Sequence, residues 1–239
     1  MCARLDSYLK SNNILCPNQF GFRKNLNTSD AIIEFLDYVY SLLDSMQSTT
    51  AVYLDFSKAF DTVNHNMSNL LHNGVRGVMQ HWFESYLSNR KQYVSIKNCS
   101  SSMSNITLGV AQGSVLDPVL ILLYINDMYR SSNQMRFVHF ADDTTVFASD
   151  SDINNVYATV NRELVGVDNW LKAKRLFLNM IKISYMIISN QKYAVEIRIR
   201  DSILTKVSTV KFLGVTLDEN LTFNDHVKNV TTEISKSVI

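Results

Sequence analysis

The chain has 239 residues, 46% of them hydrophobic and 19% charged, with 7 glycines and 2 prolines. Apolar content near half is enough to bury a core, which excludes disorder, collagen-like repeats and low-complexity scaffolding. The 23 basic and 22 acidic residues leave a net charge of +1, so no global field points to nucleic acid, and such a partner must be read from local patches.

Cys2, Cys16 and Cys99 form neither a CxxC pair nor an even set, which predicts a reduced compartment without a disulfide framework. Residues 1–6 lack the apolar stretch of a signal peptide, and the longest apolar run, Val119 to Ile125, is too short to span a bilayer. The expectation is an intracellular protein, cytoplasmic or nuclear, that is not secreted and has no membrane partner. No repeat or linker divides the chain, so one domain over 1–239 is expected.

Residues 30–46 carry Ile32, Leu36, Val39, Leu43 and Met46 at helical spacing behind Ser29 or Thr28 as N-cap. A short β-type run, 51–56, enters a polar turn and a short helix. The segment 98–105 reads as a loop. Residues 115–130 predict a buried helix with Pro118 in its first turn. Residues 137–147 alternate as a β-hairpin with Asp142-Asp143 at its tip. A second amphipathic helix covers about 153–172, with Val156, Val160, Leu164, Val167 and Leu171 on one face, and strands follow near 183–189, 194–200 and 209–217. This order is α+β, most simply an antiparallel sheet backed by helices.

Asp55 closes a hydrophobic strand, and Asp142-Asp143 stand between two others. If those strands are neighbours, the carboxylates meet at one sheet edge, where they suit Mg²⁺, a hard ion that takes oxygen ligands. From spacing alone, Asp142-Asp143 read rather as turn formers and Asp55 as a helix cap. His139, on an apolar strand beside the acidic turn, reads as a packed core histidine.

The segments 52–63 and 140–143 resemble the A and C blocks of a reverse transcriptase, and their wording is similar to that of non-LTR (LINE-type) retrotransposons. The other blocks follow in the family's order. Gln19-Phe20-Gly21-Phe22-Arg23-Lys24 resembles the fingers block. Gln112-Gly113-Ser114-Val115-Leu116 with Pro118, running into Leu123-Tyr124-Ile125-Asn126-Asp127, resembles the B block. Asn179-Met180-Ile181-Lys182 resembles the D block, and Phe212-Leu213-Gly214-Val215 with Leu217-Asp218 the E block, or primer grip.

The resemblance implies a right-hand polymerase palm with partial fingers and only the start of a thumb: a core truncated at both ends. Residues 1–50 and about 64–110 would be fingers-like, 51–63 and 111–217 palm, and 218–239 the start of the thumb. It implies an RNA-directed DNA polymerase, a nucleotidyltransferase that joins a dNTP to a primer 3′-hydroxyl on an RNA template with a DNA primer. Asp55 and Asp142 would coordinate two Mg²⁺ ions, with Mn²⁺ as a substitute, Asp143 as a supporting carboxylate and the Phe56 carbonyl as a further metal ligand. Phe60, five residues after Asp55, would be the aromatic gate that excludes a ribose 2′-hydroxyl. Gln112 and Gly113 would line the template and nucleotide side, and Lys182 would donate a proton to pyrophosphate.

Nine basic residues between 172 and 211, against two acidic ones, could track a phosphate backbone. Three departures from the family stand out. The segment between Val63 and Gly74 is shorter, Ile183 replaces a threonine, and Asp117 replaces a small residue, where it is expected to add charge near the nucleotide and disturb the helix entry. A non-catalytic, decayed nucleic-acid-binding remnant is the alternative expectation.

Overall fold

A five-stranded sheet, with Thr205–Lys206, Ser184–Ile188, Ser48–Leu54, Asp143–Asp150 and Arg136–Phe140 side by side in that order, carries the fold. The computed structural model describes residues 2–57, 59–63, 76–110, 113–114 and 116–237. The shortening between Val63 and Gly74 falls in 64–75, outside the described residues, as does Gln112.

The first half runs α1 (Cys2–Ser11), α2 (Thr28–Asp44), β1 (Ser48–Leu54), β2 (Phe56–Ser57), α3 (Ala59–Thr62) and α4 (Val78–Leu87). Short ribbon strands follow: β3 (Lys91–Gln92), β4 (Ser95–Ile96), β5 (Cys99–Ser100) and β6 (Ser104–Asn105). Then come α5 (Asp117–Ile125), a 3₁₀ turn (Met128–Ser131), β7 (Arg136–Phe140), β8 (Asp143–Asp150) and α6 (Ile153–Lys174). The chain continues through β9 (Phe177–Leu178), β10 (Ser184–Ile188), β11 (Arg198–Ile199), β12 (Ser202–Ile203), β13 (Thr205–Lys206), β14 (Thr209–Phe212), β15 (Val215–Asp218) and α7 (Asn224–Ser237).

The sheet separates two apolar layers because side chains alternate across a strand. Val52 and Leu54 of β1, Val146 and Ala148 of β8, and Tyr185 and Ile187 of β10 join α5 and α6 on one face. Ala51, Phe147, Met186 and Ile188 face the other way, onto Phe35 and Val39 of α2 and Phe212 and Leu217 of the β14–β15 hairpin. The five apolar residues expected on one face of α6 are all buried.

Several local expectations are corrected. The N-cap of α2 is Asn27, whose side chain accepts from Ser29 and Asp30 N–H while Asp30 accepts from Asn27 N–H, a reciprocal capping box. Its buried stripe is Ala31, Phe35 and Val39; Met46 lies past the helix end and is 73% exposed. The expected strand 209–217 is a hairpin, broken by Leu213 and Gly214 at φ +47° and +95°, the left-handed pair a tight two-residue turn requires. The 98–105 loop contains β5 and β6, paired back to β4 and β3. Ile183 is 1% exposed and belongs to the larger core, so an apolar side chain there serves packing.

Candidate active site

β1 and β8 pair antiparallel, and their ladder closes at Leu54 opposite Thr144. The next residue on each strand is an aspartate, Asp55 and Asp143. β7 and β8 close at Phe140 opposite Asp143, leaving Ala141 and Asp142 as a two-residue loop. Ala141 has φ +55°, the left-handed conformation such loops demand. The acidic tip and Asp55 therefore arrive at one end of adjacent strands.

β2 continues past Asp55 and pairs with β9, Phe56 opposite Leu178. The Asn179 N–H then donates to the Asp55 carbonyl at 2.9 Å, and the N–H groups of Lys182 and Ile183 turn back onto the Asn179 carbonyl at 2.9 and 3.2 Å. That turn sets Lys182 Nζ 3.3 Å from Asp55 Oδ2.

The carboxylates repel one another. Asp142 is half-buried, and its pKa is raised first by lost hydration and then by the charge of Asp55, with its own N–H acting in opposition. Asp143 is exposed as a residue, yet partial desolvation, Asp142 and Asp55 raise its pKa, while the Lys182 ammonium lowers it. Crowded like charges favour the arrival of a cation. Among the described residues, no three histidine, cysteine, aspartate or glutamate side chains form a metal-holding group by themselves. The donor chemistry is that of Mg²⁺, which takes one or two carboxylates and leaves its other positions to water and substrate phosphates. On that ground the residues fit the ion.

Phe56 is buried on β2. Phe60 is half-buried on α3 and packs against the larger core. The Val110 N–H donates to the Phe60 carbonyl at 2.9 Å, and the Gly109 N–H to the Val63 carbonyl at 2.8 Å. Gly109 has φ +83°, and a Cβ there would meet the Asp61 carbonyl at 2.9 Å. Gly109 and Val110 are thereby laid against α3. Gly113 has φ +93° and open space where a Cβ would stand.

Asp117 does not disturb the helix entry. It is 2% exposed; its carboxylate accepts from Ser114 N–H at 3.1 Å and Oγ–H at 2.6 Å, and its own N–H donates back to Ser114 Oγ at 3.3 Å. Its carboxylate thus holds Ser114, whose hydroxyl accepts from the Leu116 and Asp117 N–H groups at the entry to α5. Much of the basic excess from 172 to 211 is also engaged locally. Lys172 and Arg200 flank Asp168 at 2.7 and 2.6 Å, Lys174 meets Asp127 at 2.9 Å, and Arg198 meets Glu196 at 2.9 Å.

His139 is a core histidine, 2% exposed, with Nδ1 2.9 Å from Thr144 Oγ1. Burial lowers its pKa from 6.5 to about 4, so the neutral ring belongs to the fold. Its stabilising contribution is complete above the ordinary histidine pKa and is lost as pH falls through the folded value, on the order of 3 kcal/mol in all. Urea unfolding at pH 7.5 and pH 5 is expected to show a smaller pH dependence for His139→Gln than for the wild type. Equal pH dependence in both would refute this account.

Gln19, Gly109 and Asn126 are structural contributors to this region that sequence reasoning left without roles. Asn126, at the end of α5, accepts from Cys16 N–H at 2.7 Å and donates to the Ile14 carbonyl at 2.8 Å. Their partners lie far away in the chain, and no local spacing marks them.

Residues 1–217 match the family described as reverse transcriptase (RNA-dependent DNA polymerase). The chain is 28% identical over 243 residues to a probable RNA-directed DNA polymerase from transposon BS of Drosophila melanogaster, covering 95% of this chain and 26% of that protein. It is 26% identical to the RNA-directed DNA polymerase from mobile element jockey of the same fly, covering 89% of this chain and 24% of that protein. It thus spans about a quarter of these curated relatives. A structure of telomerase from Candida tropicalis, in complex with a fragment of telomeric RNA, superposes with a TM-score of 0.63 at 13% identity, covering 93% of this chain and 35% of that one. At that identity the likeness shows the fold, the expected α+β polymerase palm. Among the described residues no helix is long and apolar enough to cross a membrane.

Proposed function

This chain belongs to the reverse transcriptase family, and from that premise we propose that it carries the catalytic core of an RNA-directed DNA polymerase, with Asp55, Asp142 and Asp143 as the carboxylates that hold divalent metal. The observation that supports this reading best is the β1–β8 register, which closes at Leu54 opposite Thr144 and leaves the acidic residues at one strand end.

Asp55 and Asp142 would hold Mg²⁺, or Mn²⁺ in its place, with Asp143 and the Phe56 carbonyl in support. Two such ions lower the pKa of a primer hydroxyl and neutralise the charge of a triphosphate. The remaining work falls to this chain's own groups. Relief of the repulsion among Asp142, Asp143 and Asp55 favours binding of charge-neutralising ligands over the empty state. Lys182 pairs with Asp55 at 3.3 Å with its side chain 66% exposed. Such a pair is worth under about 1 kcal/mol, so the ammonium is free to turn toward a leaving pyrophosphate and hand it a proton. Gln112 and Gly113 would line the template and nucleotide side, and Gly113, with open space where a Cβ would stand, would let a ligand approach the backbone closely. The palm would comprise 51–63 and 111–217, with fingers-like segments 1–50 and about 64–110 and the thumb beginning at 218.

Phe60 would be the sugar gate. Phe60→Val is expected to raise the use of a ribonucleotide relative to a deoxyribonucleotide on the order of tenfold to a hundredfold. Comparing the two kcat/KM values in one preparation cancels any loss of folded protein. An unchanged ratio would assign Phe60 to packing alone.

The reading is tested by primer extension on poly(rA)/oligo(dT) with Mg²⁺ and dTTP, beside an Asp142→Asn/Asp143→Asn double variant. Extension by the wild type and none by the variant is the expected result. A folded wild-type chain that binds the duplex without extending it would favour the non-catalytic remnant.

A further inference from the structure

The acidic turn is held by more than its own hairpin. Residues 18–21 run along the outer edge of β7: His139 N–H donates to the Asn18 carbonyl at 2.9 Å, and Phe20 N–H to the His139 carbonyl at 2.8 Å, with Gln19 in parallel register with His139. This strap ends against the turn. A Cβ on Gly21 would stand 2.1 Å from the Ala141 nitrogen.

The Gln19 side chain reaches across. It is 3% exposed; its Oε1 accepts from Ala141 N–H at 3.1 Å and Gly21 N–H at 2.8 Å, and its Nε2 donates to the Ala141 carbonyl at 3.2 Å. Two backbone donors and one acceptor permit a single orientation of the amide. Ala141 lies outside the β7–β8 pairing, which closes at Phe140 and Asp143, and it holds a left-handed conformation that a Cβ disfavours. One side chain thus takes up both backbone polar groups of the residue immediately before the acidic pair.

We propose that Gln19 is a positioning residue for the acidic turn, setting where Asp142 and Asp143 stand by holding the backbone of Ala141. The consequence for metal rests on the reading of those aspartates given above; the hold on the turn does not. With alanine at position 19, the buried N–H and carbonyl of Ala141 lose their partners, and the turn opens toward water to satisfy them. Asn18 supplies a control within the same strap, because its Nδ2 donates to the Phe137 carbonyl at 2.9 Å, away from the turn.

The test uses the full chain as wild type, Gln19→Ala and Asn18→Ala. In the wild type, NMR should detect scalar coupling across the hydrogen bond between the Ala141 nitrogen and the Gln19 side-chain carbonyl carbon. Amide hydrogen exchange at Ala141 should accelerate about tenfold or more in Gln19→Ala and stay unchanged in Asn18→Ala. Mn²⁺ affinity, read from the electron paramagnetic resonance of the free ion, should fall by a similar factor in Gln19→Ala alone. Equal acceleration in both variants, or no coupling in the wild type, overturns the proposal. If Gln19→Ala fails to fold, the wild-type coupling decides. If the wild type takes up no Mn²⁺, the metal reading fails, and exchange still decides whether Gln19 holds the turn.

Discussion

Asp142→Asn is expected to lower primer extension on the order of a thousandfold or more while leaving the fold intact, since a metal-holding carboxylate acts where transition-state charge develops. The same substitution is expected to stabilise the metal-free chain at neutral pH. Asp142 is half-buried, and its pKa stands above the ordinary aspartate value of 3.8 because of lost hydration and the charge of Asp55. A raised carboxyl favours the folded state fully only below its unfolded pKa, and that contribution is lost as pH rises through the folded value. At pH 7 the wild type therefore carries an unfavourable charge that asparagine removes. Thermal unfolding should give the variant the higher Tm at pH 7, with the difference shrinking once Asp142 is protonated in acid. A lower Tm for the variant across the whole range would contradict the electrostatic account. Loss of activity joined to gain of stability distinguishes a functional carboxylate from a turn former, whose removal costs both.

Gly21→Ala is the second large effect, and it acts on stability. A Cβ at Gly21 would lie 2.1 Å from the Ala141 nitrogen and 2.8 Å from the Phe140 carbonyl carbon. Both are backbone atoms of the hairpin and cannot rotate away, so the strap or the acidic turn must shift. The expected cost is about 3 kcal/mol or more, at the upper end for overpacking. Gly214→Ala gives the comparison. Gly214 has φ +95° but nothing within 4 Å of a Cβ, so its cost is the backbone preference alone, roughly 1–2 kcal/mol. Urea unfolding of the two variants should rank Gly21→Ala as clearly worse. Equal losses would mean that the strap accommodates a methyl group without moving the turn.

Those glycines show what was legible in the chain and what was not. The 3.6-residue pattern of Val156, Val160, Leu164, Val167 and Leu171 placed α6 within two residues at each end, because helix burial follows from local spacing. The hairpin itself was equally visible, since a polar pair between two apolar runs leaves the chain little choice, but its loop is Ala141-Asp142 and Asp143 is already the first residue of β8. Caps are less legible. Ser29 and Thr28 are ordinary caps, and the choice of Asn27 depended on the reciprocal bond from Asp30. Asp117 looked misplaced for the same reason, as its value lies in the backbone it satisfies at Ser114.

The sequence by itself determined the α+β order of elements, the apolar face of α6, and the family blocks that single out Asp55, Asp142 and Lys182. Periodicity, turn chemistry and short motifs are local, and a chain displays them without folding. Only the tertiary structure decided that β1 lies beside β8, so that carboxylates 87 residues apart share one strand end. It also decided that Lys182 leans on Asp55, and that an amide at position 19 grips a turn at 141. Strand partnership is settled by which apolar faces bury together and which backbone groups find partners, and those are properties of the assembled core rather than of any window along the chain.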